Sequence, residues 1–111
     1  MGYYSTAEGR IEVRPPLTYG EAKRVVEPRW EWSVNEEGTA LLPPDDTFKA
    51  YCFDKHLAEI VDDLAGHVFL GSVRVTGEEF GDVWDLKAEG RVVLRQKMRV
   101  EIVEDGPEVE V

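Results

Sequence analysis

The chain has 111 residues, and 23 acidic against 13 basic side chains give it a formal net charge of −10. That length fits one domain, and a hydrophobic content of 42% is too high for a disordered chain. The apolar runs are too short for a transmembrane helix, and Met1–Arg10 lacks the basic segment and apolar core of a signal peptide, so we expect neither.

Cysteine usage indicates the compartment. Cys52 is the single cysteine, which excludes an internal disulfide, and lone thiols suit a reducing environment. We therefore expect a cytoplasmic protein. His56 follows Cys52 by one helical turn, as a base beside a nucleophile would, but cysteine is among the most buried residue types, and core packing is the favoured interpretation.

The first predicted elements are a strand and a short helix. Apolar and polar residues alternate from Arg10 to Arg14, which is typical of a half-buried strand, and two prolines follow. Thr18 and Glu21 have the spacing of a capping box, so we expect a helix over about 19–26. Pro28 ends it.

Two further strands are predicted in the middle of the chain. Trp30, Trp32 and Val34 point inward in the first of them, and Arg29 and Glu31 point outward. The second spans 39–42 and is ended by consecutive prolines.

A second helix follows, and we expect Asp54 to cap it and Gly66 to follow its end. Four apolar residues recur at the spacing of one buried helical stripe. They are Leu57, Ile60, Val61 and Leu64.

Three strands are predicted in the C-terminal part, over about 69–76, 83–88 and 92–102. Trp84, Leu86 and Ala88 face the core in the middle one, and Glu89-Gly90 forms a two-residue hairpin turn. In the last strand the apolar residues are expected to face inward. Its outward residues would then include Arg95, Lys97 and Arg99.

The element order β-α-β-β-α-β-β-β predicts an α+β fold. Its first six elements match a ferredoxin-like split βαβ, extended by a C-terminal β-hairpin, with both helices on one face of an antiparallel sheet. A different α+β roll is the alternative. We expect a single domain over 1–104 and an acidic tail over 105–111, bent at Gly106-Pro107.

Five segments in a fixed order carry a resemblance to a known family. They are MGYYS, GRIEVRPPLTYGE, KAY, GHVFLG and GEEFGDVW. Together they resemble a family of short, uncharacterised proteins of actinobacteria and their phages. The resemblance covers the chain from Met1 to about Trp84. It implies a phage or actinobacterial context and supplies no catalytic residue.

One side of the second predicted helix carries potential metal ligands. His56, Glu59 and Asp63 lie at i, i+3 and i+7, and His67 follows the helix. Imidazole and carboxylates can bind zinc or iron, but no HExxH or CxxC framework accompanies them. A solvated helix face is the favoured interpretation, and we expect no cofactor.

The charge layout is the most informative pattern. If the strand phases are right, the open face of the sheet carries four more bases than acids, and the remainder of the chain is strongly acidic. Such a field steers partners, although charged strand faces are often only solvated. The expected interaction residues are Arg14, Arg74, Arg95, Lys97 and Arg99.

We therefore expect a non-enzymatic binding or accessory protein that acts through a protein partner, for example in phage modulation of a host factor. An acidic nucleic-acid mimic that occupies a DNA-binding protein is the first alternative, and a small metal-dependent enzyme is the second. Direct nucleic-acid and membrane contacts are not expected. The chain would be a monomer or a homodimer.

Overall fold

Six strands and two helices form an α+β structure in the computed structural model, which describes residues 4–29, 31–79 and 81–98. The α+β class predicted from the element order is confirmed. The strands are β1 (Ser5–Arg14), β2 (Ser33–Val34), β3 (Ala40–Leu42), β4 (Val68–Gly77), β5 (Val83–Gly90) and β6 (Val92–Lys97). The helices are α1 (Tyr19–Val26) and α2 (Phe53–Asp63).

All six strands belong to one sheet, in the order β2-β3-β1-β4-β5-β6. Every pair of neighbours is antiparallel. The longest pairing joins β1 and β4 over ten residues, from Ser5 opposite Gly77 to Arg14 opposite Val68. β1 and β4 thus form the centre of the sheet, and β5 and β6 extend it on one side.

The capping box predicted for α1 is confirmed. The Glu21 amide donates to the Thr18 hydroxyl, and the Thr18 amide donates to the Glu21 carboxylate. Each interaction satisfies a backbone N–H that the first helical turn leaves unpaired. A helix of eight residues is marginal by itself, so Val25, which is buried, ties it to the core.

The stripe predicted on α2 is buried. Its four residues are at most 4% exposed and belong to the same core cluster as Val25 of α1 and the inward residues of the sheet. Both helices therefore pack on one side of the sheet. Trp32 stacks on Phe53 with ring centroids 4.3 Å apart, and its indole N–H donates to the Phe53 carbonyl. Among the described residues, neither helix is long and apolar enough to cross a bilayer.

The second predicted strand is much shorter than its sequence pattern suggests. Only Ser33–Val34 is extended, because the preceding residues form turns in which the Arg29 amide donates to Val26 and the Trp32 amide donates to Arg29. The prediction that Arg29 and Glu31 face outward from a strand is wrong, since both are buried against α2. Trp30, Arg99 and the predicted tail lie outside the described residues.

Two glycines allow β1 and β4 to lie close together. Gly9 and Gly71 have φ angles of 121° and 149°, which L-residues with side chains rarely adopt. A Cβ at Gly71 would collide with the Arg10 carbonyl oxygen, and a Cβ at Gly9 would collide with that of Ser72. The long central pairing therefore requires glycine at both positions.

Candidate functional site

The side of the sheet opposite the helices forms a regular array of side chains, which we call the open face. The strand register aligns its side chains in rows that cross β1, β4, β5 and β6. The first row is Glu8, Arg74, Asp85 and Gln96, and the second is Arg10, Ser72, Lys87 and Leu94. The third row is Glu12, Leu70, Glu89 and Val92, and the fourth is Arg14 and Val68. An uncharged row of Thr6, Thr76 and Val83 precedes the first.

The open face carries four large apolar side chains in contact with solvent. Val68 and Leu70 on β4 are 50% and 59% exposed, and Val92 and Leu94 on β6 are 56% and 52% exposed. Lys87 and Glu89 of β5 lie between the two apolar pairs. A groove of about 320 Å³ runs along Val68 and Leu70. Clustered exposed apolar residues of this kind mark contact surfaces more often than isolated ones do.

The charges of the open face balance. Its described bases are Arg10, Arg14, Arg74 and Lys87, and its described acids are Glu8, Glu12, Asp85 and Glu89. The predicted excess of four bases is therefore wrong for the described residues. Three predicted bases (Arg29, Arg95 and Lys97) and one predicted acid (Glu31) do not lie on the open face. Arg99 and Glu101 lie outside the described residues, and two further acids, Glu8 and Glu89, belong to the face.

The predicted phase of the last strand is reversed. Arg95 lies opposite Leu86, and Lys97 lies opposite Trp84, so both point to the helix side of the sheet. Arg95 stacks over the Trp84 ring, with its guanidinium carbon 4.0 Å from the ring centroid, and bonds Asp54 of α2 at 3.3 Å. These contacts satisfy its charge within the fold.

The predicted interaction residues therefore do not form one surface. Arg14 and Arg74 lie on the open face as expected. Arg95 and Lys97 are on the other side, and Arg99 lies outside the described residues.

Arg74 and Asp85 form a paired contact on the open face. The Arg74 guanidinium donates to both carboxylate oxygens of Asp85, at 2.9 and 3.2 Å. These hydrogen bonds and the positive charge lower the pKa of Asp85 below its ordinary value, against an opposing effect of burial. Such a bidentate pair is geometrically specific, which fixes the two side chains in the first row.

The potential metal ligands on α2 are engaged separately. His56 Nδ1 lies 2.8 Å from Glu31, whereas Glu59 and Asp63 accept hydrogen bonds from Arg29 at 3.4 and 2.7 Å. The sequence pattern thus marks the side of α2 that pairs with the segment after α1. Within residues 4–29, 31–79 and 81–98, no three His, Cys, Asp or Glu side chains are arranged to hold a metal ion.

Cys52 is exposed, so the prediction that it packs in the core is wrong. It is the residue before α2, and its carbonyl accepts the His56 amide. The helix begins one residue before the predicted cap Asp54, and its buried stripe therefore begins with Phe53. This position turns the thiol away from the core.

A buried histidine that the sequence does not reveal connects three segments. His67 Nδ1 lies 2.7 Å from the Pro15 carbonyl oxygen, and Nε2 lies 3.0 Å from Glu21 of α1. Hydrogen bonds from the Thr18 backbone, followed by those from His67, lower the pKa of Glu21 below its ordinary value of 4.5. Pro15 and Glu21 lie 52 and 46 residues before His67 in the sequence, and no local pattern indicates such a pairing.

Arg91 has a comparable structural role at the hairpin between β5 and β6. Its guanidinium donates to the carbonyl oxygens of Val61 and Leu64 at the end of α2 and to that of His67 just before β4. Carbonyls at the end of a helix have no partner within it, and a cation is favourable at this terminus. Arg91, which lies between β5 and β6, therefore attaches the hairpin to the end of α2.

Comparisons with known proteins identify no relative: no family model, no curated protein and no solved structure matches this chain.

Proposed function

We propose that this chain is a non-enzymatic binding protein that acts through protein contacts made by its open face. The observation that carries the proposal is the exposure of Val68, Leu70, Val92 and Leu94 on one surface. Full burial of a side chain of this size contributes about 1.5–3 kcal/mol. Covering the four half-exposed residues would therefore contribute several kcal/mol to association.

The pattern around these residues also supports a protein partner. A balanced set of four bases and four acids shares the open face with the apolar pairs, and Lys87 and Glu89 lie between the two pairs. Protein interfaces combine apolar contacts with hydrogen bonds and charged contacts in this way. A membrane or polyanion would instead select a surface of one sign.

The acidic nucleic-acid mimic stays a prediction from the net charge of −10. The open face does not support it, because its acids alternate with bases. The metal-dependent enzyme is not favoured either, because its candidate ligands have other partners. Glu59 and Asp63 accept hydrogen bonds from Arg29, and His56 contacts Glu31.

The proposal also includes a fold type and a setting. The order β2-β3-β1-β4, with β3 between β1 and β2 and β1 between β3 and β4, supports a ferredoxin-like split βαβ extended by β5 and β6. The exposed single thiol of Cys52 supports a reducing, cytoplasmic compartment. A phage or actinobacterial context and an effect on a host factor rest on the sequence resemblance alone.

Affinity capture with open-face variants tests the proposed function. The full chain is used as bait in lysate of the source organism, and co-purifying proteins, including untagged copies of the chain itself, are identified by mass spectrometry. We expect Leu70→Asp and Leu94→Asp to lose the captured protein, because a charge would be buried at the contact. Tyr19→Asp is the matched control, since Tyr19 is 83% exposed on α1.

Salt separates the alternatives in the same experiment. A contact centred on apolar side chains should persist at high salt, whereas the complex of a nucleic-acid mimic should weaken steeply because salt screens exposed charges. Equal capture by wild type, both aspartate variants and the control would contradict the proposed role of the open face.

A further inference from the structure

We infer that the partner of the open face is a second copy of this chain, packed face to face about a two-fold axis that crosses the strands. This inference rests on the proposed function, because it names the partner of the same surface. It is carried by the arrangement of charges in the four charged rows of the open face and by the apolar side chains in and beside them.

The net charges of the four charged rows alternate and are antisymmetric about the line midway between the second and third rows. From the strand register, the first row carries −1, the second +2, the third −2 and the fourth +1. The second and third rows, which hold the strongest charges, are neighbours about 7 Å apart along the strands. Reversing the order of the rows therefore reverses the sign of every row.

A two-fold axis parallel to the rows, placed midway between the second and third, carries out this reversal. Each row of one copy then faces a row of equal and opposite charge in the other. On β1, Glu12 would face Arg10 of the second copy, and on β5, Glu89 would face Lys87 of the second copy. The outer rows would match in the same way, with Arg14 opposite Glu8 of the second copy.

The apolar residues fit the same operation. On β6, Val92 of the third row would face Leu94 of the second copy's second row. Leu70 would lie over Ser72 of the second copy, a small residue that leaves room for it. The operation thus brings Leu70, Val92 and Leu94 into the contact, whereas Val68 of the fourth row would face Arg74 of the second copy.

Other two-fold arrangements do not satisfy the charges. An axis parallel to the strands, placed midway between β4 and β5, would reverse the order of the strands, so Arg10 would face Leu94 of the second copy and Glu89 would face Leu70 of the second copy. These charges would then be buried against apolar side chains without an opposite charge, which costs free energy. The charge pattern therefore selects the axis across the strands, and antiparallel alignment of two sheets is compatible with aligned sheet packing at about 30°.

The size of the open face suits such a contact. Four strands at about 4.8 Å spacing and about 30 Å of strand length give roughly 570 Å² per copy. Two copies would bury at least about 1,100 Å², which exceeds the roughly 1,000 Å² expected of a specific interface. A two-fold contact of one surface with itself is also the commonest form of protein assembly.

The first measurement is sedimentation equilibrium of the full chain from micromolar to millimolar concentration. We expect a reversible monomer–dimer equilibrium. Leu94→Asp should weaken dimerisation by at least about tenfold, because it places a charge against Val92 of the second copy. A chain that stays monomeric up to millimolar concentration would overturn the inference.

Complementary charge reversals give the sharper test. Lys87→Glu and Glu89→Lys each turn two symmetry-related attractive contacts into repulsive ones, so each variant alone should dimerise at least about tenfold more weakly. An equimolar mixture of the two should form a heterodimer with near wild-type affinity, because every contact between unlike chains is then attractive. The double variant, with both charges exchanged, should dimerise like wild type.

Lys55→Glu is the matched control for Lys87→Glu, because it makes the same change in net charge at an exposed residue of α2. It should dimerise like wild type, and urea midpoints of all variants should show that each is folded. Failure of the mixed variants to associate, in a chain whose wild type dimerises, would overturn the proposed axis.

The two proposals can fail separately. A monomeric chain that captures a different protein through Leu70 and Leu94 would overturn the second copy as partner and leave the binding function intact. A monomeric chain in which these residues are shielded by the chain's own residues 99–111 would overturn both.

Discussion

Substitution of Leu57 by alanine tests the division of the protein into a buried side and an open face. Leu57 is fully buried in α2. Its truncation removes three carbon atoms from the core, which costs about 0.8 kcal/mol for each in transfer free energy, and it leaves a cavity. We therefore expect the free energy of unfolding to fall by about 2–5 kcal/mol.

Urea titration followed by circular dichroism measures this loss. With a denaturant dependence of about 1–3 kcal/mol per molar, the midpoint should fall by roughly 1–3 M. Leu70→Ala is the matched control, because the same side chain is 59% exposed on the open face. Any decrease in the urea midpoint of Leu70→Ala should disappear in dilute solution, because it would stem from weaker self-association of the chain.

A loss below about 0.5 kcal/mol for Leu57→Ala, a value typical of surface positions, would refute the assignment of this stripe to the core. Equal losses of unfolding free energy for Leu57→Ala and Leu70→Ala in dilute solution would refute the exposure of Leu70 on the open face.

Three further predictions use the same preparations. Gly71→Ala should destabilise the fold by about 1–3 kcal/mol in urea titrations because of its positive φ, whereas Gly20→Ala within α1 should stabilise it by about 0.5–1 kcal/mol; a harmless Gly71→Ala would contradict the close pairing of β1 and β4. Because the pKa of Glu21 is lowered in the folded state, its stabilisation is present above its ordinary value of 4.5 and is lost as pH falls through the folded-state pKa. Glu21→Gln should therefore flatten the acid limb of the urea midpoint against pH, and an unchanged limb would contradict the lowered pKa of Glu21. Cys52 is exposed, so a maleimide should label the native chain at the rate of a free thiol, and labelling only in denaturant would show that it is buried.

The helices could be predicted because their signals are local. The capping pair Thr18 and Glu21 lies within one turn, and the stripe from Leu57 to Leu64 repeats at the helical period. Both patterns depend on neighbours that the chain itself places together. The boundaries of α1 and the burial of the α2 stripe follow from them.

The phase of β6 could have been predicted but was obscured by hydrophobicity. A two-residue turn pairs even-numbered residues with odd-numbered ones, so inward Trp84 and Leu86 require inward Lys97 and Arg95. The apolar character of Val92 and Leu94 favoured the opposite phase. Val92 and Leu94, which their apolar character predicts to face the core, are therefore the residues that distinguish the open face.

The remaining contacts could not be predicted because they join distant parts of the chain. Arg29 meets Asp63 across 34 residues, and His67 meets Glu21 across 46. Sequence periodicity places each residue on a face of its own element and does not identify its partner on another. The balance of charge on the open face depends on these pairings, because they remove Arg29 and Glu31 from it.

Leucine methyl resonances measured by NMR over a dilution series test the role of the open face most directly. With increasing concentration, the methyl signals of Leu70 and Leu94 should shift and show contacts between unlike-labelled chains, whereas those of the buried Leu41 and Leu57 should stay unchanged. Concentration-independent spectra, or intermolecular contacts that involve the exposed side chains of α1 and α2 and spare Leu70 and Leu94, would contradict self-association through the open face.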